Sequence, residues 1–421
     1  MQPDTSFGAA GDHPSAADTA NRPDPPSAFA LLVAFGGLSA ALAAGYGVLF
    51  TIAADYRDEY GISENWIGII IGLGFIAGFL AQITIAPYAD RGHAKLLVLA
   101  GVFVNVIGLV LMAFGTSLVP ILVGRFISGV GIGTATPAIK RIVVLADPAN
   151  LGQNMGRLLA ADVFGFAIGP AVSAVLVGPF GIPAPFLVVA AVTLVLLPMV
   201  ARVDVVEATE PPSRRFAVDL LRRREFAGAV LLGAVAFTMI GAFDALWDVV
   251  HKDLGTADWI ANLGITLFGL PLIFLGPAGG RLAQNWGPFK LGPIGLFFAS
   301  GLMIVYGFLP AGGLIFAVAM VHAVSDGLTI SSAGVAVSMV VSPDRQAGAH
   351  GVVGAAQAVS AGVMASVTGA IYASYGQAAA YTVAGIVMAT MTAGALWLAR
   401  PAWNLSAATQ APQDAATVSG G

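Results

Sequence analysis

His322 and Asp326 stand four residues apart in a run, Leu314 to Val341, that is otherwise apolar, small or hydroxylic. On a helix that spacing puts imidazole and carboxylate on one face. Side by side in an apolar setting, the two can share and pass a proton. Two readings stand: a proton-coupling site, and a hydrogen-bonded pair that only holds helices together. Arg125, deep in another apolar run, joins them as a candidate. It could neutralise an anionic solute, orient a proton on a nearby carboxylate, or form a structural ion pair.

Other charges sit nearer the ends of apolar runs. Asp244, Asp248 and His251 follow one another at spacings of four and three, which predicts one helical face near an outer end. The reading is a hydrated outer rim, with a route for protons or cations as the alternative; Asp55 reads the same way. Asp162 is expected near an inner end, in a salt bridge with Arg157 or Arg91. Gly165, Gly169 and Pro170 predict a bend and a close helix approach. So do the pairs Gly68/Gly72 and Gly74/Gly78, as packing seams. A short charged loop, Asp90, Arg91, Gly92 and Lys95, separates two apolar runs, and a degraded copy follows at Leu282 to Lys290.

The elements that must hold these groups follow from composition. The chain of 421 residues is 57% hydrophobic and 10% charged, against about a quarter charged in soluble domains. So few charges cannot cover a soluble protein of this size, and lipid must cover much of it. Apolar runs of about 20 residues span a hydrocarbon core of about 30 Å as helices. Twelve are expected: 29–53, 66–86, 96–115, 118–142, 157–178, 185–202, 226–249, 259–283, 291–310, 313–341, 351–374 and 378–399. The runs are continuous, not alternating, which favours helices over a barrel. The expected fold is all-α and polytopic, with twelve transmembrane helices in two pseudo-symmetric halves.

Lys and Arg set the orientation. With the N-terminus inside, the outer loops hold only Arg57 and Lys252, and every other cation except Arg125 falls on the inner side. Both termini are therefore expected in the cytoplasm, with the chain in the plasma (inner) membrane. The expected organisation is a disordered tail at 1–28, a six-helix half at 29–202, a cytoplasmic linker at 203–225, a second half at 226–400, and a disordered tail at 401–421. The linker carries Glu210-Pro211-Pro212-Ser213-Arg214-Arg215 and Arg222-Arg223-Arg224. It reads as a solvated connection or as a short basic amphipathic helix on the inner leaflet. The halves also align at an offset of 197 residues, with Arg125 on His322, Asp147 on Asp344 and Gly165 on Gly362. Weak half-chain similarity of this kind marks repeat-built secondary transporters.

No phosphate-cradling Gly-x-x-x-x-Gly-Lys loop, zinc-protease helix or nucleophile elbow occurs, so no ATP site or enzyme chemistry is indicated. No cofactor or metal is expected, and Cys is absent. The expected partners are a small molecule, protons and the bilayer, with no nucleic acid, and the chain is expected to be a monomer.

The chain resembles the major facilitator superfamily over roughly residues 29–400. Asp90, Arg91, Gly92 and Lys95 match its loop signature between helices two and three. Ala86 departs from the usual Gly there, and Gly92 comes one place early. Arg125, Gly129, Gly131 and Gly133 match its helix-four signature. Gly165, Gly169 and Pro170 are similar to the helix-five signature of its drug/proton antiporter branches, with Val172 and Ser173 where a Gly pair often follows. The resemblance implies two halves rocking around a cavity lined by spans one, four, seven and ten. It implies that Asp90 caps span eleven near Ala349-His350-Gly351 and latches the inner side closed. Arg91 and Lys95 would hold Asp90 or meet lipid phosphates. Proton-coupled efflux of a hydrophobic or amphipathic compound is the function implied. Proton-symport uptake and a non-transporting sensor on the same fold are the alternatives.

Overall fold

The computed structural model describes residues 28–407 except 206, 209–211, 213 and 215. Most of both expected tails lies outside these residues, as does the Glu210-Pro211 part of the linker. Among the described residues the chain is all-α. The helices are α1 (Ala28–Tyr60), α2 (Glu64–Thr84), α3 (Ala94–Phe114), α4 (Leu118–Ala146), α5 (Leu151–Phe180), α6 (Pro183–Arg202), α7 (Arg224–Asp253), α8 (Asp258–Trp286) and α9 (Pro288–Tyr306). Then come α10 (Gly312–Val340), α11 (346–375) and α12 (377–399).

The last two helices show how sequence punctuates this fold. Gln346 to Ala399 is one unbroken apolar run with no proline. Gly376 alone interrupts it, at φ 76° and ψ −173°, a backbone conformation a side chain would strain. The chain reverses there and yields two helices. A turn at Ile330-Ser331 interrupts α10. Several helices outrun the expected spans by one or two turns, because their polar ends stay helical beyond the apolar stretch.

The first half packs as α1 on α5, α2 and α3 on α4, and α3 on α6. Glycine lets these backbones touch. Gly74 and Gly78 lie against Gly129 and Gly133, and Gly165 lies against the Ala40 carbonyl. In lipid, where apolar attraction between helices is absent, this contact is a main source of association. The Gly68/Gly72 seam is not found: neither residue has a neighbour within 4 Å of a built Cβ. Both sit one face away from the α4 contact. α5 runs on through Pro170, and Pro170 packs on Gly47 of α1. In the second half α7 packs on α11 and α12, α8 on α10, and α9 on α12. Large apolar side chains such as Phe114, Val175, Phe274 and Phe308 point outward. A soluble protein does not carry so much exposed apolar surface; a lipid-facing one does.

The halves meet at the end of the bundle that carries most of the Arg residues, here called the basic end. α5 meets α8 there, and α2 and α4 meet α11. Among its described residues the connection between halves forms no amphipathic α-helix. It makes a 3-10 turn, Ala217–Arg222, whose Ala217 and Leu220 are buried against the protein near Gly348. Arg345 holds that turn, donating from Nη1 to Asp219 at 2.9 Å and from Nη2 to Asp219 and to the Phe216 carbonyl.

Candidate functional site

At the basic end, Gly92 (φ 80°) ends a tight 3-10 turn, Ala86–Arg91, which buries Asp90. Asp90 crosses to the other half. Its Oδ1 accepts the backbone N–H of Ala347 at 2.9 Å, and its Oδ2 accepts that of Gly348 at 2.7 Å. These are open donors in the first turn of α11, where the helix dipole favours a carboxylate. Arg141, on α4, brings Nε to 3.2 Å from Asp90, with both side chains almost fully buried. The neighbouring loop residues serve the linker. Arg91 reaches the Pro212 carbonyl at 3.5 Å, and Lys95 Nζ donates to the Val203 carbonyl at 2.8 Å. Glu207 caps α3 by accepting from Ala94 N and Lys95 N.

Beside this latch lies a seam between α5 and α8. A methyl on Gly152 or Gly156 would overlap the carbonyl oxygen of Gly280 or Gly276. Gln284 closes the seam, accepting from Gly152 N at 2.7 Å and donating to the Pro148 and Ala149 carbonyls. Gln284 lies in the degraded loop copy, Leu282 to Lys290, but the sequence assigned it no role of its own.

In the second half, His322 and Asp326 share a face of α10 as their spacing requires. His322 Nε2 and Asp326 Oδ2 are 3.6 Å apart, within ion-pair range but beyond a hydrogen bond. His322 Nδ1 lies 3.0 Å from the Tyr306 hydroxyl of α9. Phe243 and Phe268 stand edge-on to the imidazole. The result is a buried chamber, walled by aromatic rings, with a Tyr306–His322–Asp326 line through it. Tyr306 is sixteen residues from His322 on another helix, so no local spacing could reveal it.

Arg125 is fully buried on α4. Its guanidinium lies over the Tyr46 ring, 4.1 Å from the centroid, and Nη2 donates to the Ile71 carbonyl at 3.4 Å. Nε and Nη1 have no partner, and Gly74 leaves the space the guanidinium fills. Of the three readings, the structural ion pair is not formed; a cation–π contact takes its place.

Asp162 is not in the expected salt bridge. It accepts a short hydrogen bond from Ser39 Oγ of α1 and lies within electrostatic range of Lys140. Arg157 instead donates to Asn154 at 3.2 Å. Five residues of helix turn Asp162 about 140° from Arg157, so the two cannot share a face. The row on α7 also divides. Asp244 and Asp248 have accessible side chains, but His251 is buried. Its ring lies on Trp247, with centroids 4.0 Å apart, and its Nδ1 is 2.8 Å from the Trp247 carbonyl. The start of α10 covers it at Gly312. Asp55 is half-buried near the end of α1.

Residues 33–312 match the family model described as Major Facilitator Superfamily. An uncharacterised MFS-type transporter of Methanocaldococcus jannaschii is 29% identical over 34% of this chain, but that match spans only 37% of the archaeal protein. Multidrug resistance protein MdtG of Proteus mirabilis is 24% identical over 62% of this chain and 68% of its own length. The crystal structure of the human organic anion transporter MFSD10 superposes with a TM-score of 0.71 at 15% identity, covering 88% of this chain and 100% of that one.

Proposed function

The chain belongs to the major facilitator superfamily, and from that premise we propose that it exports a small hydrophobic or amphipathic compound across the plasma membrane in exchange for protons. The observation that carries the proton half of this reading is the buried Tyr306–His322–Asp326 line. Two proton placements suit it. With Asp326 ionised, His322 turns an Nε2–H toward the carboxylate and accepts from the Tyr306 hydroxyl. With Asp326 protonated, the carboxyl proton faces Nε2, and His322 donates from Nδ1 to Tyr306. The two placements differ by the proton on Asp326, so the line can load and unload a proton once Nε2 and Oδ2, now 3.6 Å apart, close to hydrogen-bond distance.

The latch supports the alternating half. The Lys/Arg bias makes the basic end cytoplasmic. Asp90, Arg141 and the α5–α8 glycine seam hold that end shut, so the space between the halves faces outward. Opening inward requires Asp90 to leave the α11 N-terminus. The named multidrug relative is in keeping with a hydrophobic or amphipathic cargo.

Inverted vesicles test the reading, after a susceptibility screen of expressing and null cells has supplied a substrate. Asp326→Asn should abolish accumulation driven by a proton gradient while leaving substrate exchange at equilibrium intact. Gradient-driven accumulation that survives Asp326→Asn would exclude Asp326 as the coupling group.

A further inference from the structure

One cation of α4 has no work in the scheme above. Lys140 lies on α4, half-buried, six residues before the helix ends at Ala146. It is within electrostatic range of Asp162 on α5 and of His350 on α11, so it sits between elements of both halves. Its neighbour Arg141 is committed to Asp90. Among the described residues Lys140 has no hydrogen-bond partner and no ion pair within 4.0 Å. Asp162, the nearest carboxylate, is held by Ser39 on α1, and the His350 Nε2 is taken by Ser338 at 3.0 Å.

An ammonium at this depth is costly, and its three N–H donors need acceptors. Arg125, the other unpaired cation of α4, is sealed under Tyr46 and unreachable. Lys140 remains partly open, within electrostatic range of groups on α5 and on α11. We propose that Lys140 is the docking point for an anionic group, a carboxylate, sulfonate or phosphate, on the transported compound. The inference rests on the transport reading and adds a substrate class to it: amphipathic organic anions. Ser39 bonds one oxygen of Asp162 and leaves its charge in place, so a cationic cargo is disfavoured by the Lys140 charge itself and not by a lack of carboxylate. Asp162 also explains how an anion would leave. Its charge, kept beyond 4 Å from Lys140, opposes anion binding and keeps the site from holding its cargo too tightly.

Pyridoxal 5′-phosphate tests this on the intact protein in detergent. Its aldehyde condenses with a neutral lysine amine, forming an imine and releasing water. Borohydride then delivers hydride to the imine carbon and leaves a stable secondary amine. The chain has four lysines, so Lys95, Lys252 and Lys290 serve as internal controls in peptide mass spectrometry. Lys252 is exposed, and Lys95 is bonded to the Val203 carbonyl. Lys140 should reach half-labelling at a reagent concentration at least tenfold below that for Lys252. Inorganic phosphate should protect Lys140 and not Lys252, and Asp162→Asn should lower the half-labelling concentration further. Labelling no faster than at Lys252 would overturn the proposal. So would fast labelling that phosphate does not slow, since that describes a reachable amine only. The measurement needs no transport, so a failed transport screen leaves it standing as a separate result.

Discussion

Removing the Asp90 charge should open the basic end, and the contacts set the size of the effect. Asp90→Asn keeps one oxygen for either Ala347 or Gly348, but its amide then confronts the other N–H, and Arg141 loses its carboxylate. A hydrogen bond to a charged group contributes about 1.5–3 kcal/mol. Breaking a buried ion pair costs about 3–5 kcal/mol. Taking ~3 kcal/mol as a low combined figure, the ratio of open to closed forms rises about 150-fold. The chain has no cysteine, so Met155→Cys supplies a single reporter. Met155 is buried on α5, with its Cε against the α10 backbone at Gly334. A membrane-impermeant maleimide applied from the basic side reads the open population as a labelling rate. Asp90→Asn should raise that rate by one to two orders of magnitude, levelling off once the open form dominates. A rise of less than threefold, in protein that melts normally, would refute the latch and its arithmetic together.

Three further outcomes follow from the same geometry. Gly280→Ala places a methyl into the Gly152 carbonyl, so it should also raise Met155→Cys labelling while leaving membrane insertion, measured by expression level, unchanged. Tyr306→Phe removes the hydroxyl facing His322 and should shift the pH profile of transport while Asp326→Asn abolishes coupling altogether; an unshifted profile would remove Tyr306 from the proton path. The Asp219–Arg345 clamp responds to acid in a defined window. Its hydrogen bond with Arg345 holds Asp219 below the usual carboxylate value of 3.8, so the clamp is fully present above that value and is lost as pH falls through the lower one. Hydrogen exchange at Ala217–Arg222 should therefore, once corrected for intrinsic rates, hold level from neutral down to about pH 4 and rise only below. Loosening at pH 5 to 6 would contradict it.

What the sequence disclosed depended on whether the signal was local. Apolar runs and the Lys/Arg bias are local, and the helices follow them. The spacing of His322 and Asp326 fixes a shared face whatever the tertiary structure, as does the break at Gly376. Asp90 became legible only through resemblance, since its partners are two backbone amides more than 250 residues away. Pairings across helices were not legible. Asp162 was read against Arg157 or Arg91, but helical phase turned it toward Ser39 and Lys140. His251 continued a polar row by spacing, yet the start of α10 covers it. Arg125 lacks the carboxylate that a buried cation suggests, because an aromatic face and a carbonyl substitute for it.

The linker does more than join two bundles. One stretch of it grips the start of α3 through Glu207 and takes Lys95 and Arg91 on its carbonyls, and a later stretch is pinned by Arg345 just ahead of α11. Those two anchorages flank the partners of the Asp90 contact, Asp90 itself in one half and Ala347 in the other. Any rotation that pulls Asp90 from Ala347 must therefore unfasten one anchorage or drag the whole strap sideways. On the transport mechanism proposed above, a substitution, a bound protein or a proteolytic nick in this short stretch would be felt at the opposite end of the bundle, as a change in how often that end opens.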